Sequence, residues 1–140
     1  MKYEENKELI LVGIESPYAG DVETNIRYAK ACVLDCLRRG EAPYASHLFF
    51  TQDDLLDDND PDERMLGIMA GKAWEKKAQY TVVYTDRGIS KGMKFGIELA
   101  KKEGRPILYR ALGGEWTCEA SACMPVIKDL DRKEDITIDE

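Results

Sequence analysis

The chain has 140 residues, a hydrophobic content of 44% beside 34% charged residues, and a formal net charge of -7. That length suits one domain with a real core, and the balance is globular. The acidic excess excludes a general nucleic-acid binder, which needs a basic face, but not a pocket for a small nucleotide. No apolar run approaches the ~20 residues that span a bilayer, and Met1–Glu8 has no signal-peptide core, so the expectation is a cytoplasmic protein with no membrane partner.

Leu9–Ile14 is a continuous apolar run, the mark of a strand buried on both faces. Glu15 to Asp21 breaks it with Pro17 and Gly20. From Val22 to about Arg39 the period turns helical through Ile26, Ala29, Val33 and Leu37, and Gly40 suits the cap that follows. Pro43–Phe50 reads as a short strand running into a loop, and the acidic run Asp53–Asp60 as an exposed turn. Pro61, Asp62 and Glu63 fit the first turn of a helix that continues through Met65, Ile68, Met69 and Trp74 to about Lys77. Tyr80–Tyr84 is a second buried strand. Ser90 would cap a helix carrying Met93, Ile97 and Ala100, Gly104 would end it, and Arg105–Arg110 closes with a last strand.

The order β-α-β-α-β-α-β calls for an α/β fold with a mainly parallel sheet of four to five strands. Residues 1–111 form that domain, and 112–140 read as a C-terminal extension, a candidate for packing at an oligomer interface. Ligands of such sheets bind outside the carboxyl ends of the strands. The residues just past the predicted strands are Glu15, Ser16, Pro17 and Tyr18, then Ser46, His47 and Leu48, then Asp86, Arg87, Gly88, Ile89, Ser90 and Gly92. A serine, a tyrosine, a histidine and an acid so gathered could hold a ribose, a base and a phosphate, with free N–H groups at a helix start facing the anion.

Each of these residues has a plainer reading as a turn, a solvated acid or a satisfied histidine. Gly88 and Gly92 would then serve backbone geometry alone. Met65, Met69 and Met93, at helical spacing, read as core. Glu98, two turns into the helix after the loop, is a candidate nucleophile or general acid/base, although most helical glutamates face water. The acidic run lacks the twelve-residue calcium-loop pattern. Cys32, Cys36, Cys118 and Cys123 lack zinc-knuckle spacing and read as buried thiols, so neither a metal nor a cofactor is expected.

Several segments resemble a known family: Ser16–Asp21 with Asn25 and Ala29, Pro43–Phe50, Glu63-Arg64 with Gly67, and Ser90–Met93. Across about residues 9 to 110 the chain is similar to a small, largely uncharacterised group of bacterial and phage proteins. That group is related to the nucleoside 2-deoxyribosyltransferases and nucleotide N-glycoside hydrolases. The resemblance implies a flavodoxin-like three-layer fold, a homo-oligomer and a pocket for a nucleoside or nucleotide, and it adds Asn25 and Met93 to the candidate ligand-binding residues. In the enzymes the last motif reads glycine, threonine, two variable residues, a nucleophilic glutamate, one variable residue, glycine. Here Gly92 and Met93 take the first two places, Gly96 falls on the nucleophile, and Glu98 falls on the final glycine. An acid displaced by two helical residues is rotated by about 200° and should face away. Asp86 is a loose match to the aspartate of the enzymes' preceding strand.

The resulting expectation is a chain that binds a nucleotide or phosphorylated ribose without catalysis, its most specific form being sequestration of a nucleotide signal in a phage setting. The alternative is a hydrolase or transferase acting on an N-glycosidic bond through Glu98, Asp86 or an activated water. A third reading is an interaction protein whose loops bind another protein.

Overall fold

The computed structural model describes residues 5, 7–117 and 136–137. Five strands form one sheet: β1 (Ile10–Glu15), β2 (Glu41–Tyr44), β3 (Tyr80–Tyr84), β4 (Ile107–Arg110) and β5 (Ile136–Thr137). Their spatial order is β2-β1-β3-β4-β5. The first four are mutually parallel, and β5 runs antiparallel to β4. From β1 the chain steps outward to β2 on one side and then crosses to β3 on the other. The strand order therefore reverses at β1, and a crevice opens between the carboxyl ends of β1 and β3.

Helices cover both faces, giving three layers. Helix α1 (Val22–Arg38) packs Tyr28, Cys32 and Cys36 on Val12, Ile14, Val82 and Tyr84, the alternate side chains of β1 and β3. Helix α4 (Lys91–Lys102) packs Met93, Ile97 and Ala100 on Val83 and Ile107 of the opposite face. Helix α3 (Pro61–Glu75) lies on that second face too, with Glu75 against Gly13. The starts of α1, α3 and α4 are capped by side chains. Asp21 accepts from the Thr24 N–H, Asp60 from Asp62 and Glu63, and Ser90 from Met93, each satisfying amides that the helix leaves unpaired.

Three expectations change. The expected loop after the second strand is a short helix, α2 (Ser46–Phe49), and the strand itself begins earlier, at Glu41. Met65 and Met69 are half exposed rather than core, as are Leu66 and Trp74. The buried face of α3 is instead Gly67, Gly71, Lys72 and Glu75. Gly71 lets α2 approach so closely that a Cβ there would sit 2.4 Å from the Ser46 side chain, so the apolar stripe of α3 is turned outward.

Beyond β4, Leu112 and Trp116 join the α1-side core, the Trp116 ring lying 4.7 Å from that of Tyr28. Cys32 and Cys36 are buried free thiols. Cys118, Cys123 and most of the expected C-terminal extension lie outside the described residues. Among the described residues no helix is long and apolar enough to cross a membrane.

Candidate functional site

A cavity of about 480 Å³ opens at the crevice. The end of β1 supplies Glu15, Ser16 and Tyr18, and α2 supplies Ser46 and His47. The first turn of α4 supplies Ser90, Gly92 and Met93, and α3 contributes Arg64, Lys72 and Glu75. A Cβ built on Gly92 meets nothing within 4 Å, so the start of α4 presents open backbone there.

The charged floor of the cavity is built from glycines outward. β1 alternates its side chains, so Val12 and Ile14 enter the α1-side core while Gly13 and Glu15 face α3 and α4. With no side chain at Gly96, the Glu15 carboxylate lies flat against α4, where a Cβ would stand 2.1 Å from Oε2. Lys72 Nζ donates to Glu15 Oε2 at 2.6 Å and to Glu75 Oε1 at 3.3 Å. Two buried acids thus share one ammonium. Burial pushes the Glu15 carboxyl up to about 7, against the opposing pull of Lys72 and with a further push from Glu75. Burial likewise raises the Glu75 carboxyl, opposed by Lys72. The two carboxylates raise the Lys72 ammonium against its own burial.

Beside this floor, Ser16 Oγ and His47 Nε2 are 2.8 Å apart. Burial, with the Lys72 charge nearby, brings the His47 imidazole down to about 4. It is therefore neutral at pH 7, with one ring nitrogen able to accept a hydrogen bond and the other to donate one. Tyr18 stands edge-on to His47 with ring centroids 6.4 Å apart. A serine, a neutral imidazole, a phenol and a carboxylate so gathered can hold a sugar's hydroxyls and move a proton.

Of the residues the sequence singles out, the fold brings Ser16, Tyr18, His47, Ser90, Gly92 and Met93 to one cavity. Pro17, Asn25, Asp86, Gly88 and Glu98 are not in its lining. Asn25 Nδ2 donates to the carbonyls of Tyr18 and Ala19, and its Oδ1 accepts from Arg87, tying together the loops after β1 and β3. Asp86 accepts from the Tyr28 hydroxyl at 2.7 Å and from the amides of Leu112 and Gly113, so its carboxylate organises the chain after β4. Gly88 has φ +83°, a conformation that the turn after β3 requires. Glu98 is exposed on the far side of α4, 4.0 Å from Lys101, as its offset from the motif implies. The acid that reaches the space beside Gly96 comes from a different element, β1.

Glu15, which the sequence places at the strand end without a role, lies in the cavity floor, and Lys72 and Glu75 are functional candidates that the sequence reading left out. Their signals were an acid closing an apolar run, and a Lys/Glu pair three residues apart on the helix face marked by Gly67 and Gly71. Asp58, from the acidic run expected to be plain solvated turn, also borders the cavity. Among the described residues no cluster of three or more metal-ligating side chains occurs.

Residues 10–110 match the family described as "Domain of unknown function (DUF7768)". The chain belongs to that family. Its matched region ends at the last residue of β4 and contains every cavity residue named above. Among curated proteins none is similar to the chain. Among solved structures, the DUF7768 fold is similar to a 2-deoxyribosyltransferase from the psychrotolerant bacterium Bacillus psychrosaccharolyticus, with a TM-score of 0.54 at 15% identity. The likeness covers 75% of this chain and 74% of that one. That protein is described as a biocatalyst for the synthesis of antiviral and antitumoral nucleosides. At this identity the likeness establishes the shared α/β, flavodoxin-like fold.

Proposed function

We propose that the cavity binds a nucleoside or nucleotide, with the sugar among Glu15, Ser16 and His47 and any phosphate toward the first turn of α4. The observation that carries this reading is that Ser16, Tyr18, His47, Ser90, Gly92 and Met93 line one cavity at the strand-order reversal. Its volume of about 480 Å³ suits a ligand of that size. The nucleoside chemistry of the structurally similar enzyme points the same way. The expected result is a thermal upshift with at least one of the common nucleosides or nucleoside 5′-monophosphates, confirmed by calorimetry and lost in Ser16→Ala/His47→Ala. A full panel that neither shifts the melting temperature nor releases heat sinks the proposal.

A bound nucleotide can be held or cleaved. Retention without turnover fits a sink for a nucleotide signal. Cleavage of the N-glycosidic bond is favoured by one specific observation, the buried Glu15 carboxylate in the cavity floor. The homo-oligomer implied by the family resemblance has a candidate surface in the outward apolar strip Met65, Leu66, Met69 and Trp74. Light scattering on the eluting protein tests it, and a monomer at high concentration removes it.

A further inference from the structure

We propose that Glu15 is the nucleophile of this cavity, its carboxylate attacking the anomeric carbon of a bound nucleoside or nucleotide. The inference rests on the nucleotide-binding reading and deepens its cleavage branch.

The geometry is that of a carboxylate held ready for a ligand. Glu15 ends β1 and is paired in register with Val83 of β3, so its backbone is fixed by the sheet. Gly96 removes the side chain that would otherwise displace the carboxylate from the crevice wall. Lys72 holds one oxygen, Oε2, and is itself held by Glu75, whose side chain packs 3.0 Å from where a Cβ on Gly13 would be. Among the described residues no group donates to Oε1, and that atom is not among the buried polar atoms cut off from any partner, so it faces the cavity. Two buried acids hydrogen-bond one ammonium, with the Arg105 charge acting on both, and Glu15 Oε1 is left for a ligand.

The chemistry closes without a cofactor. Glu15 Oε1 forms a bond to the anomeric carbon as the bond from that carbon to the base nitrogen breaks. The electron pair leaves on the base, which takes a proton from a water molecule. The hydroxide left behind attacks the anomeric carbon, the ester bond breaks, and the electron pair returns to the Glu15 carboxylate. The sum is one water added across the N-glycosidic bond, with two inversions and net retention. Lys72 is a positioning residue, spreading the charge on Oε2 and aiming Oε1.

The test uses the full chain and a panel of ribo- and deoxyribonucleoside 5′-monophosphates, with free base read by chromatography. The wild type should release base from at least one member. Glu15→Gln should slow release by about 1,000-fold or more while still binding that nucleotide in a thermal-shift assay. A second measurement needs no variant: a 2′-deoxy-2′-fluoroarabinonucleoside should leave a fluoropentosyl mass on the wild type, mapped to Glu15. Release unchanged in Glu15→Gln, a label on another residue, or a wild type that binds nucleotide yet shows neither release nor label overturns the proposal. The last result leaves the binding reading intact. Absence of any nucleotide binding fells both.

Discussion

The two faces of the sheet each bury a charged cluster, and the clusters are built on opposite principles. On the α1 side, Arg110 grips Glu41 with two hydrogen bonds, at 2.8 and 2.6 Å. The Tyr80 hydroxyl adds a third bond to Glu41, while Tyr84 bridges Arg110 to Asp35. Paired carboxylate meets paired guanidinium, and this cluster borders no part of the cavity. On the α3/α4 side, Glu15 and Glu75 divide a single lysine and one carboxylate faces open space. A buried charge whose partners are all protein belongs to the architecture. Glu15, whose free oxygen lies in the cavity lining, points to a ligand.

The contrast can be broken most severely on the closed side. Glu41→Ala takes the doubly bonded carboxylate away from the buried Arg110 guanidinium and should cost about 3–5 kcal/mol in denaturant unfolding. Nucleotide affinity measured on the folded fraction should be unchanged. Next comes Asp86→Asn, which replaces a carboxylate oxygen that accepts from backbone amides by a donor. It should cost about 1–3 kcal/mol. Gly71→Ala forces a Cβ into Ser46 and should cost about 1–3 kcal/mol, with weaker nucleotide binding because α2 carries His47.

The pH dependence sharpens the open side. Between 4.5 and about 7 the folded chain keeps a proton on Glu15 that the unfolded chain has released, so this group makes stability fall as pH rises through that window. His47 works in the opposite direction. Its folded value near 4 lies below the ordinary 6.5, so stability falls as pH drops from 6.5 toward 4. The charged neighbours acting on Glu15 are Lys72, Glu75 and Arg105. Melting curves of Glu15→Gln should therefore lose the opposing decline between pH 4.5 and about 7, so that the acid-side loss due to His47 steepens. The smallest effect is expected for Glu98→Gln, an exposed change that should move neither melting temperature nor nucleotide binding beyond experimental scatter.

Much of the architecture was legible because parallel strands buried on both faces are written as unbroken apolar runs. Tyr80–Tyr84 matches its strand residue for residue, and the cap Ser90 and the first-turn Pro61 mark helix starts to the position. The cavity residues at strand ends followed from topology alone. What escaped was the role of α3. Periodicity assumes that a helix turns its apolar side inward, whereas this one turns Gly67, Gly71, Lys72 and Glu75 inward and sends Met65, Leu66 and Met69 out. The partnership of Glu15 with Lys72 spans 57 residues and depends on a gap at Gly96 that no local pattern records. Residues 46–49, expected as the loop after a short strand, are helical, and a single turn this short carries too little periodicity to be read.

The alternation of β1 has a consequence for folding fidelity. Val12 and Ile14 point to one face, Gly13 and Glu15 to the other, and the strand is hydrogen-bonded on both edges. A slip of one residue in pairing would drive the Glu15 carboxylate among Tyr28, Cys32 and Tyr84 and set Ile14 against Lys72. The misaligned sheet would bury a charge without a counterion, and the correct one gives that charge its lysine. The residue that reaches toward the ligand thereby also acts as the proofreader of the central strand.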